Sequence, residues 1–129
     1  MTAIATNAAT VRAVAAQLEA WGWPSELWPG WATRQNRQAP LVWESVTVHH
    51  TGAGPVSTSY MVNPSDRAAL VVLCNAHITR DHAIRFLAAG GASHAGMSDR
   101  ATYARMRAGQ APLAGDMKPG ADSTTFSAN

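Results

Sequence analysis

Apolar residues recur at spacings of three and four from Val11 through Val14 and Leu18 to Trp21. That stripe predicts an amphipathic helix opened by Asn7 as a cap and closed by Gly22 and Pro24. The period is lost in ELWPGWATRQNRQAP, where Trp28 and Trp31 flank a Pro-Gly pair, so the expectation is a tryptophan-bearing loop. Its rings bury area at the edge of a small core, with carbohydrate stacking as the alternative use. Leu41 to Thr51, LVWESVTVHHT, is β-branched, apolar and stopped by glycine, and predicts the best strand of the chain. A second helix is expected from NPSDRAALVVL, with Asn63 as cap, Pro64 in the first turn, Asp66 at the positive end and Ala69, Leu70 and Leu73 as its apolar side. NAHITR and AIRFLAA, joined by Asp81 and His82, predict a β-hairpin. Glycine is preferred at the second turn position, but histidine accepts a positive φ more readily than most residues.

After Gly90 the pattern changes. GGASHAGMSDR reads as a loop, Ala101 to Arg107 as a short helix, and residues 109–129 as an irregular tail with neither a period nor a strand's apolar run. So long a structureless stretch is either a functional loop or the approach to an element that holds it down from beyond these residues. There is no internal repeat. The expected fold class is α/β, a mixed central sheet flanked by helices, incomplete at its C-terminal side, forming a single domain over 1–129.

Composition narrows the picture. A hydrophobic content of 47% with 14% charged residues fits a globular chain rather than a disordered one. The net charge of +2 comes from scattered Lys and Arg, which argues against a nucleic-acid footprint and suits an anionic polymer such as a cell wall. One cysteine, Cys74, rules out an internal disulfide and fits synthesis in a reducing compartment. The N-terminal residues carry no basic cluster ahead of an apolar core, so no signal peptide is expected, and no apolar run reaches a membrane span.

Strand parity separates the paired histidines. Val46, Val48 and His50 share one face, while Thr47, His49 and Thr51 share the other. If the valines enter the hydrophobic layer, His50 packs with them and His49 emerges on the polar side as the better metal-ligand candidate. A pair of this kind is by itself more often structural. His77 and His82 fall on the hairpin, where surface or turn roles are the default. His94, among small residues in SHAG, has an accessible ring suited to a substrate contact, against the plainer role of a loop histidine held by a carbonyl.

VTVHHTGAG followed by LCNAHITRDHAIRFLAAGGASHAG resembles the zinc-dependent N-acetylmuramoyl-L-alanine amidases related to peptidoglycan recognition proteins, especially the amidase domains of actinobacteriophage endolysins. The order carries the resemblance: a strand ending in His-His-Thr, a helix, a Leu-Cys-(His or Asn) stretch, an Arg-Asp-Gly hairpin, an Ala-Ala-Gly turn and His-Ala-Gly. It covers residues 41–96. It implies cleavage of the amide joining N-acetylmuramic acid to the L-alanine of the stem peptide, with a zinc-bound water of lowered pKa and a polarised carbonyl. It further implies His49 as a zinc ligand and His94 and Asn75 as substrate contacts. The partners it implies are peptidoglycan, reached from the host cytoplasm after release, and neither nucleic acid nor membrane.

Three departures accompany the resemblance. His82 stands in place of the hairpin glycine. Cys74 stands where many relatives have a catalytic tyrosine, which leaves the catalytic residue unassigned. The family takes two further zinc ligands from segments after His-Ala-Gly, and this sequence has no histidine after His94. His50, His94 and Asp99 are candidate substitutes that no spacing favours. The resulting expectation is the N-terminal part of a split or truncated amidase, completed by a C-terminal polypeptide and prone to oligomerise through an open sheet edge. The alternative is a peptidoglycan-binding module without catalysis.

Overall fold

Thr2 opens the first helix, α1 (Ala3–Ala20), by accepting the N–H of Ala5 on its Oγ1 at 3.3 Å. The computed structural model describes residues 1–36, 42–43, 45–46, 48, 55–66, 71–92, 104–105, 108–111 and 127–128. Asn7 is therefore not the cap that the sequence predicts; it lies inside α1 and is 1% exposed. The helix ends as expected. Gly22 takes a φ of +74°, its N–H reaches Glu19 O, and the N–H of Trp23 returns to Leu18 O, each at 2.9 Å. Val11 and Leu18 of the expected stripe do face the core, but Val14 and Trp21 are exposed, and Ile4, Ala8 and Ala15 complete the buried face.

Strand β1 (Ser25–Leu27) follows, where a loop is expected, and runs parallel to β4 (Ile84–Phe86). Antiparallel to β4 on its other side lies β3 (Ala76–Ile78), giving a mixed three-stranded sheet in the order β1-β4-β3. The chain is thus a small α/β protein. The extended segment through β4 serves two cores. Phe86 and Ala89 pack with Val11 and Trp31 on the α1 side, while Leu87 and Ala88 pack with Met61, Val72, Leu73 and Cys74. A fully buried large apolar side chain contributes about 2 kcal/mol, against about 1 kcal/mol net for a backbone hydrogen bond, so packing rather than ladder length holds these three-residue strands.

The hairpin matches the expectation in kind and differs in its turn. The N–H of His82 donates to Thr79 O and that of Thr79 to Ala83 O, both at 3.0 Å, so three residues rather than two make the loop. His82 occupies its left-handed position with a φ of 62°.

The second helix is displaced from its expected place. It is α2 (Thr58–Val62), capped by the Ser57 hydroxyl, and Asn63 closes it instead of opening one. Asp66 accepts a hydrogen bond from Tyr60 Oη at 2.6 Å, and 71–75 are not helical, so Leu73 enters the core from an irregular segment. Ala69 and Leu70 lie outside the described residues.

Of the long strand expected over 41–51, residues 45–46 form β2 (Ser45–Val46), which pairs in parallel with β5 (Ser127–Ala128), while residues 42, 43 and 48 are described outside any strand. The tail expected to be irregular therefore contains a strand. Two helical residues, Tyr103's successors Ala104 and Arg105, are what is described of the short helix expected at 101–107. No helix among the described residues is long and apolar enough to cross a membrane.

Candidate functional site

His49, His50, Thr51, His94 and Asp99 lie outside the described residues. The premise of the parity argument does lie within them. Val46 is 72% and Val48 84% exposed, so neither valine enters a core, and strand parity lends His49 no preference over His50. The assignment of His49 then rests on the resemblance.

Asn75 is placed clearly, and away from any surface. It is 3% exposed, and its Nδ2 donates to Ala88 O at 3.0 Å and Gly90 O at 2.7 Å. A buried amide that donates to two carbonyls holds the chain after β4 in position, a structural role beside the substrate contact that the resemblance implies. Cys74 beside it is buried, and burial pushes its thiol up to about 12, so it remains a neutral packing group. A thiol in that state does not take over the role of the missing tyrosine.

The polar groups that do converge lie between α2 and the hairpin, around an open cleft of about 570 Å³. Hairpin register sets His77 opposite Arg85. The His77 Nδ1 lies 3.1 Å from Thr58 Oγ1, and Arg85 Nη1 donates to the same hydroxyl at 3.2 Å. Arg85 in turn bonds Glu26 of β1 through Nε at 2.9 Å and Asp81 of the turn through Nη2 at 3.4 Å, and stacks over the Trp28 ring at 5.7 Å. One guanidinium on β4 thus ties Glu26 of β1 and Asp81 of the hairpin turn to the first residue of α2.

Burial pushes the His77 imidazole below the ordinary histidine range; the Arg85 charge acts in the same direction and Asp81 opposes it. At neutral pH the ring is uncharged. The Asp81 carboxylate is held below its usual range, first by the Thr79 hydroxyl and further by Arg85. The cleft therefore offers fixed hydrogen-bonding groups, an indole wall and an exposed cation at Arg80.

Sequence reasoning assigns His77 a surface or turn role, yet it is 9% exposed and hydrogen-bonded. Thr58, Arg85 and Glu26 carry no signal in the sequence except that a three-residue turn would set 77 against 85. Among the described residues, no group of three or more His, Cys, Asp or Glu converges as a metal ion requires. Those residues alone do not fit a zinc centre.

No family model matches the chain, and neither any curated protein nor any solved structure matches it.

Proposed function

We propose that the chain is the N-terminal part of a phage-type N-acetylmuramoyl-L-alanine amidase. It acts on bacterial peptidoglycan at the amide between N-acetylmuramic acid and L-alanine, with zinc as cofactor. The single observation that carries the reading is the parallel pairing of β5 with β2. The family takes its further zinc ligands from segments after His-Ala-Gly, and β5 is a strand in that part of this chain, paired beside β2, which lies three residues before His49 in sequence. Two further features support it: α2 lies between His-His-Thr and Leu-Cys-Asn, and a left-handed residue at 82 occupies the place of the expected glycine. The mixed sheet is compatible in general terms.

In this reading His49 is the first zinc ligand, the other ligands come from outside these 129 residues, and His94 faces substrate. The protein is made in the host cytoplasm and reaches the wall on release. Calorimetric zinc titration tests the ligand assignment. The chain alone binds weakly, addition of the C-terminal half of a phage-type amidase domain tightens binding, and His49→Ala removes both effects. Unchanged zinc affinity in His49→Ala overturns it.

A second reading has its own observation. Trp28 lines the cleft, as a muropeptide-holding module without catalysis would require. Retention of the chain on purified walls in the presence of a chelator, with no stem-peptide release under any complementation, favours the module.

A further inference from the structure

Helix α1 turns Ile4, Asn7, Val11 and Leu18 toward the core and leaves its opposite face in solvent. The outer side of a surface helix is ordinarily charged, yet the 18 residues of α1 hold only Arg12 and Glu19 as charged side chains. Ala13 and Ala16 lie exposed at the middle of that face. Val14, 44% exposed, and Trp21, 74% exposed and seven residues on, run along one flank. So little charge beside exposed apolar groups marks a contact surface.

Charge selects the occupant. Arg12 and Glu19 are also seven residues apart, so they share the other flank to within about 20°, and neither forms an ion pair among the described residues. The Arg12 guanidinium lies over the Trp31 ring, 5.0 Å from its centroid, which occupies one face of the cation and leaves its N–H edge for an anion. A helix with a cation and an anion so placed is complementary to its own reversed copy. With Ala13 of each copy against Ala16 of the other, an antiparallel pair brings Arg12 of each copy to Glu19 of the other, twice over by symmetry. Parallel packing keeps the two charges about 10 Å apart along the axis and forms neither pair. A lipid surface fits less well, because the face lacks the several Lys and Arg of an interfacial helix.

We infer that the outer face of α1 is the contact surface for a second copy of this chain, packed antiparallel across a two-fold axis and registered by the Arg12–Glu19 pairs. Alanine at the centre lets the helix axes approach to about 8 Å. The helices are about 27 Å long, which places the contact in the small, exchanging class of interfaces. The surface involves neither His49 nor zinc, so it stands apart from the amidase reading.

Sedimentation equilibrium of the full chain at low salt, from about 10 to about 500 μM, reads the association. The parent chain is expected to form dimers and nothing larger, since a two-fold contact closes on itself. Arg12→Glu and Glu19→Arg each turn both pairs into repulsions and are expected to weaken the dimer about tenfold. An equimolar mixture of the two variants sets acid against base at both places again and is expected to regain the parent affinity as a heterodimer. Arg12→Glu also gives up the stack on Trp31, so Glu19→Arg and Ala16→Lys, both exposed, provide the comparison should that variant not fold; Ala16→Lys, which puts a charge at the axis, is expected to abolish association. Far-UV circular dichroism shows that the helix is kept. A parent chain that stays monomeric over the whole range overturns the proposal. So do dimers indifferent to Glu19→Arg, as pairing through a sheet edge would give, a mixture no tighter than either variant, or binding to phosphatidylcholine vesicles in place of dimers.

Discussion

Asn7, in the second turn of α1, donates its Nδ2 to the carbonyl of Ala89 at 3.1 Å, 82 positions along the chain, while its Oδ1 accepts the backbone N–H of Trp43 at 3.0 Å. One buried amide therefore joins the first helix, the segment entering β2 and the chain leaving β4. Asn7→Ala strands a donor and an acceptor where water is excluded, and costs about 2–4 kcal/mol. Urea denaturation of the variant measures it; a loss under 1 kcal/mol, on the order of a surface change, contradicts the role given to Asn7.

Close backbone approach makes the same region intolerant of bulk. The N–H of Gly90 donates to Arg34 O at 3.2 Å, and a Cβ placed on Gly90 meets the Cβ of Gln35 at 2.3 Å and Arg34 O at 3.0 Å. Gly90→Ala must push apart two strands of backbone and destabilises by about 2 kcal/mol or more. A thermal melt unchanged from the parent protein counts against this packing.

His82 makes the opposite case. A left-handed φ costs an L-residue roughly 1 kcal/mol, and glycine takes it freely while losing more chain entropy. His82→Gly is expected to raise stability by about 0.5 kcal/mol and His82→Val to lower it by about 1 kcal/mol, read from denaturation midpoints. The reverse order contradicts the turn geometry.

His77 couples stability to pH. Burial and Arg85 depress its folded pKa, so the unfolded chain takes up the proton first on acidification. Its contribution is fully present above the unfolded value of about 6.5 and is lost as pH falls through the depressed folded value. Urea midpoints measured from neutral pH downward fall more steeply in the parent than in His77→Gln. Parallel profiles contradict the depressed imidazole.

How much of this was open to reading differs element by element. The hairpin is legible because Ala76–Ile78 and Ile84–Phe86 sit in apolar, β-branched or aromatic runs around a polar turn. Its register is not, because a two-residue turn shifts the partner of His77 from Arg85 to Phe86 and hides the Thr58–His77–Arg85 cluster. Strand β1 has three residues and α2 five, too short for either period to show. Asn63 and Pro64 look like a helix opening and act as its close, since a capping residue is read from chemistry that serves both ends of a turn. Polar residues on apolar faces, Asn7 in α1 and Asn36 bonding Val71 and Val72, escape any hydrophobic pattern because their partners lie dozens of positions away.

The most direct measurement is mass spectrometry of purified actinobacterial walls incubated with the chain and the C-terminal half of a phage-type amidase domain. The account predicts released peptides with a free L-alanine amino terminus, and none when His49→Ala replaces the parent chain. Release that continues in His49→Ala, or cleavage at another bond, contradicts it.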